Sequence, residues 1–288
     1  MLLGVPYAGQ LPGPFFQSVV GLLQASHRKT LDLDVVTVPN AAIHQARDAL
    51  LKHFLKGGRD FLVMVDSDQV FVPANVERLV RWQRPYVAAM IVHRVGPPKP
   101  VAFVWERETD GLHYYTALTE EVYAYLSQFK PERFSGTGGV GVLPLEPDQL
   151  PTMGDVPEEV QAGLDTPLLA CDGVGTGMVC LSRECARAIE PGPGGAYFDW
   201  QSGGEDLSFC RRLLASPGEG YHGFHADWRG AGVRPGVLMD RGCLVGHLTQ
   251  YSRGAGDLIN YLRDVAAGAE LPPAAELAAL LEAKGVPS

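Results

Sequence analysis

Read from the N-terminus, the apolar and polar positions alternate between two periods. Leu2 to Val5 is a short apolar run closed by Pro6, which predicts a strand. Phe15 to Gln24 carries Phe15, Phe16, Val19, Val20, Leu22 and Leu23 at the spacing of an amphipathic helix. Asp34 to Val38 (DVVTV) is a β-branched run and predicts a strand. Asn40 stands where a helix cap belongs; Ile43, Ala46 or Arg47, Leu50 and Phe54 then recur at helical spacing, and Gly57-Gly58 ends the run. Phe61 to Val65 (FLVMV) is apolar at every position, the mark of a strand buried on both faces inside a parallel sheet. Val76, Leu79 and Val80 predict a short helix, and Tyr86 to Val92 another strand. The alternation β-α-β-α-β-α-β predicts a doubly wound α/β sheet with right-handed connections. In such sheets ligands gather beyond the carboxyl ends of the strands.

After Val92 the rhythm changes. Val101 to Glu106 and Leu112 to Ala117 predict a hairpin turning at Asp110-Gly111. Glu120 to Phe129 predicts a helix, and Leu168 to Leu181 is two apolar runs around DGVGTG. Glu205 to Leu214 places Leu207, Cys210 and Leu214 on one helical face. Val237 to Met239 and Cys243 to Val245 predict two short strands, and 257–265 and 274–283 two final helices. Much of the glycine and proline lies in 136–157, 191–195 and 217–235, which read as long functional loops.

Composition narrows the class. The 288 residues, 46% hydrophobic and 20% charged, suit one large α/β domain or two small ones. A net charge of −9 argues against a broad nucleic-acid surface, which needs a basic face. No apolar run approaches the roughly 20 residues that span a bilayer. The start MLLGVPYAGQ lacks the basic and apolar regions of a signal peptide. The five cysteines are odd in number and form no CxxC pair, so they read as reduced, buried thiols of a cytoplasmic protein.

Four short stretches carry candidate chemistry. Asp66-Ser67-Asp68 interrupts the buried run FLVMV; along an extended segment two such carboxylates share a side and can grip one hard divalent cation. The alternative is a solvated turn. Gly173, Gly175 and Gly177 in CDGVGTG let backbone approach a phosphate or a sugar hydroxyl, or simply make a tight hairpin turn. Gly203-Gly204-Glu205-Asp206 opens a helix, where acidic residues complement the dipole; otherwise Asp206 projects into a site as a general base. His247 follows the last strands and is either a third ligand to a carboxylate-held cation or a structural histidine. His222 and His225 form an HxxH pair, a second metal candidate.

The order of these pieces resembles glycosyltransferases of the GT-A fold, family 2-like. FLVMVDSD looks like that family's DxD, GVGTG its glycine-rich loop, GGED its xED motif and His247 its C-terminal histidine. PNAAIHQARDALLKHFL, YVAAMIVHRVGPPKPVAF and YFDWQSGGEDLSFCRRL are similar to the segments that flank those motifs. The resemblance spans about residues 2–253 and weakens at 120–165 and 217–236. It implies a GT-A, Rossmann-like mixed α/β fold, with a mainly parallel central sheet flanked by helices and a small additional β region. It further implies a domain over 1–253, with a nucleotide-sugar half (1–118), a variable insert (119–165) and an acceptor half (166–253), followed by a helical tail (254–288).

Carried over residue by residue, the resemblance implies a metal-dependent hexosyltransferase using a nucleotide-diphosphate sugar and Mn2+ or Mg2+. Asp68 would bind the metal, Asp66 the metal or the ribose, and His247 would complete the metal site. Pro6, Tyr7, Arg47 and Ser67 would line the nucleotide pocket, and Gly175, Thr176 and Gly177 would pass beside the donor sugar. Asp206 would be the base of an inverting reaction, with Glu205 on an acceptor hydroxyl, while retention of configuration, which some GT-A enzymes show, stays open. Arg94 and Lys99 would reach phosphate, and 218–232 would cover the acceptor as a lid. The acceptor stays open among a saccharide, a small molecule, a protein, a lipid and a modified nucleic acid. Two other readings stand beside this one: a nucleotidyltransferase using the Asp66/Asp68 metal site, and a non-catalytic nucleotide- or carbohydrate-binding protein of the same fold.

Overall fold

The computed structural model describes residues 1–29, 32–94, 98–109, 112–129, 141–143, 167–200, 204–215 and 237–248. The expected C-terminal helices, the HxxH pair, the 218–232 lid and most of the 119–165 insert lie outside the described residues.

The first part follows the expected alternation. Strand β1 is Leu2–Tyr7, α1 Gly13–Lys29, β2 Asp34–Pro39, α2 Ile43–Lys56 and β3 Phe61–Val65. A short β4 (Gln69–Val70), helix α3 (Pro73–Arg81) and β5 (Tyr86–Met90) follow. The hairpin β6 (Ala102–Thr109) and β7 (Leu112–Ala117) leads to α4 (Thr119–Leu126). The second part holds β8 (Gly141–Val142), β9 (Leu168–Cys171), β10 (Gly173–Val174), β11 (Met178–Ser182), α5 (Arg183–Ala188), α6 (Glu205–Ala215), β12 (Val237–Leu244) and β13 (Gly246–His247).

One 8-stranded sheet runs β2-β1-β3-β11-β5-β12-β8, with β9 paired to β12. Strands β1, β2 and β3 pair in parallel, as do β5 and β12, and β11 lies antiparallel between β3 and β5. Five strands therefore point one way, and their carboxyl ends share one edge of the molecule. The fold is a Rossmann-like mixed α/β sheet flanked by helices, with two small extra sheets, β10-β6-β7 and β13-β4.

The uniformly apolar β3 explains itself here. Leu62 and Met64 point into one core, with Leu50, Leu51 and Phe54 of α2 and Phe209 of α6. Val63 and Val65 point into the other, with Phe15 and Leu22 of α1 and Val76 and Leu79 of α3. A strand covered on both faces has no polar position to spare.

Two local expectations are corrected. Asn40 does not cap α2. Its φ is 54°, and its Oδ1 accepts the Gly9 N–H at 3.0 Å, so it ties down the turn after β1 instead. The two short strands expected at 237–239 and 243–245 are one strand, β12, with a register shift between Asp240 and Leu244. Asp240 and Arg241 are fully buried and hid its continuity from the apolar pattern. Asp240 accepts from Arg78 Nη2 and the Gly242 N–H, both at 2.9 Å, and from Trp82 Nε1 at 2.6 Å.

A carboxylate cluster at the strand ends

The sheet brings the candidate residues to its carboxyl edge. Asp66 follows β3 and its N–H donates to the Gly177 carbonyl at 2.8 Å, so the glycine turn before β11 sits directly at the end of β3. Residues 66–68 are not extended. The Gln69 N–H returns to the Asp66 carbonyl at 3.0 Å, closing a turn. The two carboxylates consequently leave in different directions and meet different partners.

Asp66 meets Arg47, which stands one turn into α2. Arg47 is 2% exposed, and its guanidinium gathers three carboxylates from remote parts of the chain. Nη2 donates to Asp66 Oδ2 at 2.7 Å, and Nη1 to Glu205 Oε1 at 2.8 Å and to Asp206 Oδ1. Burial pushes the Asp66 carboxyl up to about 6, against the pull of Arg47 and with the Asp206 charge adding to the rise. Asp66 Oδ1 is buried with no hydrogen-bond partner among the described residues. Arg47, expected to line the nucleotide pocket, is buried and bonded to the three carboxylates. Glu205, expected to face an acceptor, is 8% exposed and turned to Arg47.

Asp206 opens α6 and is held by two donors on one oxygen. Arg47 Nη1 and the Thr176 hydroxyl both donate to Oδ1. Thr176 is fully buried in the glycine turn, so its hydroxyl is committed inward. Oδ2 looks the other way, towards Gly175. A Cβ placed on Gly175 would stand 3.8 Å from that oxygen and would strike the Val101 side chain at 2.6 Å. Glycine at 175 makes room for the Val101 side chain, and the Asp206 side chain stays 28% exposed beside it.

Asp68 belongs to a second grouping. His247 Nε2 and Arg94 Nη1 each lie 3.2 Å from its Oδ2. Pairing of β13 with β4 sets His247 opposite Gln69, and the Leu248 N–H donates to the Asp68 carbonyl at 2.6 Å. His247 Nδ1 is 3.0 Å from the Val92 carbonyl, so Nδ1 carries a proton and Nε2 is the atom offered to Asp68. Burial opposes charge on both partners, but their mutual hydrogen bond wins, lowering the Asp68 pKa and raising that of His247.

Among the described residues no three His, Cys, Asp or Glu side chains stand together to hold a metal ion. Asp66, Asp68 and His247 do not form the expected trio, because the turn at 66–68 commits Asp66 to Arg47. Asp68 and His247 remain an oxygen–nitrogen pair suited to a hard or borderline cation that takes its other ligands from water and phosphate.

Tyr7 is half-buried at the end of β1 on this same edge, and its carbonyl accepts the Asn40 N–H at 2.8 Å; Pro6 is paired with Val38 and buried. Ser67 is half-buried in the turn. Trp200, 70% exposed, contacts His44 edge-on at 6.5 Å, one turn of α2 before Arg47. Sequence reasoning did not see the Thr176–Asp206 contact, nor Gln69, whose Nε2 lies 3.2 Å from Asp68 Oδ1.

Among the described residues no helix is long and apolar enough to cross a membrane. No family model matches the chain, and no curated protein matches it. Among solved structures, A197 from STIV is similar at 14% identity and a TM-score of 0.44, over 86% of this chain and 85% of that one. A likeness at that level says nothing of the chemistry.

Proposed function

We propose that this chain is a metal-dependent, inverting glycosyltransferase of GT-A type, moving a sugar from a nucleoside-diphosphate sugar to an acceptor hydroxyl. One observation carries the reading: Asp206 has Oδ1 fixed by Arg47 and Thr176, while its side chain stays 28% exposed and Oδ2 takes no hydrogen bond among the described residues. A carboxylate held by one oxygen and free at the other is built to take a proton from one direction. It stands at the same sheet edge as the Asp68–His247 pair.

In this reading Asp206 Oδ2 removes the acceptor proton as the acceptor oxygen bonds to the anomeric carbon. The bond from that carbon to the diphosphate breaks on the opposite face, and the nucleoside diphosphate departs with the electron pair. Asp68 and His247 would hold the Mn2+ or Mg2+ ion, which when bound offsets the charge gathering on the diphosphate. Arg94, which is exposed beside Asp68, would turn to the same phosphates. Asp66, whose side chain is 21% exposed, would accept from a ribose hydroxyl. Tyr7 would pack against the base. Arg47 keeps three carboxylates together that would otherwise repel.

The test is a thermal-shift screen of nucleoside diphosphates and nucleotide sugars with and without Mn2+, followed by nucleoside-diphosphate release with the best donor. A ligand that binds only the folded state raises its melting temperature. A Mn2+-dependent shift lost in Asp68→Ala, with release lost but binding kept in Asp206→Asn, is expected. A shift with nucleoside triphosphates alone would point to nucleotidyl transfer and end this reading. Binding without turnover would make the chain a binding protein.

A further inference from the structure

Asp206 Oδ2 has a defined outlook, and one face of the small β10-β6-β7 sheet lies in it. Gly173 and Gly175 are two apart on an extended segment, so both would direct a Cβ to the same side. At Gly175 that side meets Val101 and Asp206 Oδ2; at Gly173 it meets Leu207, with Tyr115 Cε1 at 3.9 Å. Register puts Phe103 opposite Gly173 and opposite Ala117, and Trp105 opposite Tyr115. Val101, Phe103 and Trp105 therefore share the face that Asp206 overlooks. Phe103 and Tyr115 touch edge to face at 6.5 Å. Phe103 and Tyr115 are half-buried and Trp105 is 41% exposed.

Helix α6 covers part of this face, with Leu207 over Gly173 and Arg211 Nη1 donating to the Tyr115 hydroxyl at 3.1 Å, and Trp105 stays exposed beyond that cover. Ala102 and Val104 point to the opposite side and already join the core, at 0% and 6% exposure. A strand advances about 6.8 Å per two residues, so the strip from Val101 to Trp105 is about 14 Å long, more than one pyranose ring.

We propose that this strip is the acceptor subsite and that its occupant is a neutral saccharide of two or more rings. The inference rests on the transferase reading of Asp206. A sugar ring offers an apolar C–H face to an aromatic and hydroxyls at its rim, one of which can reach Oδ2. A polyanion is disfavoured, because Asp206 overlooks the strip and the chain carries a net charge of −9, while Arg211 beside the aromatics is already bonded to the Tyr115 hydroxyl at 3.1 Å. An acyl chain would place methylenes against a carboxylate and gain nothing from it.

The experiment measures binding of tri- to pentasaccharides built from glucose, galactose, mannose or N-acetylglucosamine to the full chain by saturation-transfer NMR. It is run on the native protein, Trp105→Ala and Trp105→Phe, each checked for the donor thermal shift. Expected are binding by one saccharide class, about tenfold weaker in Trp105→Ala and largely kept in Trp105→Phe, with the donor shift unchanged in both. Saccharide binding indifferent to Trp105→Ala, or none at all in a protein that binds a donor, overturns the subsite. Stronger binding of heparin or single-stranded DNA than of any neutral sugar overturns the choice of occupant. Absence of any donor shift would fail the transferase reading by itself, and the saccharide titration would still decide the strip.

Discussion

Arg47→Met is the most informative single change. It keeps the volume of the stem and removes the guanidinium that is bonded to Asp66, Glu205 and Asp206. Breaking a buried ion pair from one side costs about 3–5 kcal/mol, because the partners stay behind uncompensated. The pH dependence is the sharper consequence. Asp66 titrates at about 6 in the folded protein, above its usual range. A carboxyl raised on folding binds its proton more tightly in the native state. Its stabilising contribution is full below the unfolded pKa near 4 and is lost as pH climbs through about 6. At about 1.36 kcal/mol per tenfold in proton affinity, that loss is about 3 kcal/mol in the native sequence. Arg47 is the group that holds the value down, by charge and by hydrogen bond. Without it the loss extends to higher pH. Urea unfolding in chelator at about pH 6 and about pH 8.5 avoids the isoelectric point near 5.4. The penalty of Arg47→Met is expected to be about 3–5 kcal/mol at the higher pH and smaller by about 1–2 kcal/mol at the lower. Adding Asp66→Asn is expected to recover much of the difference and flatten it. A penalty equal at both pH values, or under about 1 kcal/mol at the higher one, would refute a charge-balancing role for Arg47.

Other outcomes follow from the same contacts. Thr176→Val is expected to lower nucleoside-diphosphate release about tenfold with donor binding intact, and Thr176→Ser to restore it, since only the hydroxyl to Asp206 Oδ1 is at stake; steady-state kinetics separates the two effects. Asp240→Ala strands Arg78 and the Trp82 N–H in the core and is expected to cost about 3–5 kcal/mol by urea unfolding. Gly177→Ala would set a Cβ 2.8 Å from Ile91 Cδ1 and 3.0 Å from Gln69 Nε2, and about 1–3 kcal/mol of destabilisation is expected in the same assay. The five thiols are all buried, and burial pushes Cys180 and Cys210 up to about 12; a disulfide reagent is expected to titrate none of them in the native protein and all five after denaturation.

What the chain declares by pattern and what it conceals divide along one physical line. Periodicity reports what a residue's own segment needs, so FLVMV announced a strand covered on both faces and GGED announced a helix start. Pairing between distant segments leaves no local trace. Nothing in MVCLS tells that β11 inserts antiparallel between β3 and β5, and that insertion is what carries Thr176 to Asp206. The same limit explains the acidic pair. Asp66 and Asp68 look equivalent in sequence, and only the turn at Gln69 sends one to Arg47 and the other to His247. β12 was lost to the opposite error, since a buried Asp-Arg reads as a break unless its partners on α3 and α4 are known. One signal did lie in view. The helical register of α2 needs an inward residue at 46 or 47, and both prove buried. An arginine at a core-facing position cannot shed its proton, so it requires carboxylates from elsewhere to meet it. In this chain the acidic residues that meet it are Asp66, which ends an apolar run, and Glu205-Asp206, which opens a helix after two glycines. Burial at position 47 follows from the helical register, whereas its three carboxylate partners come from the sheet pairing that the sequence does not display.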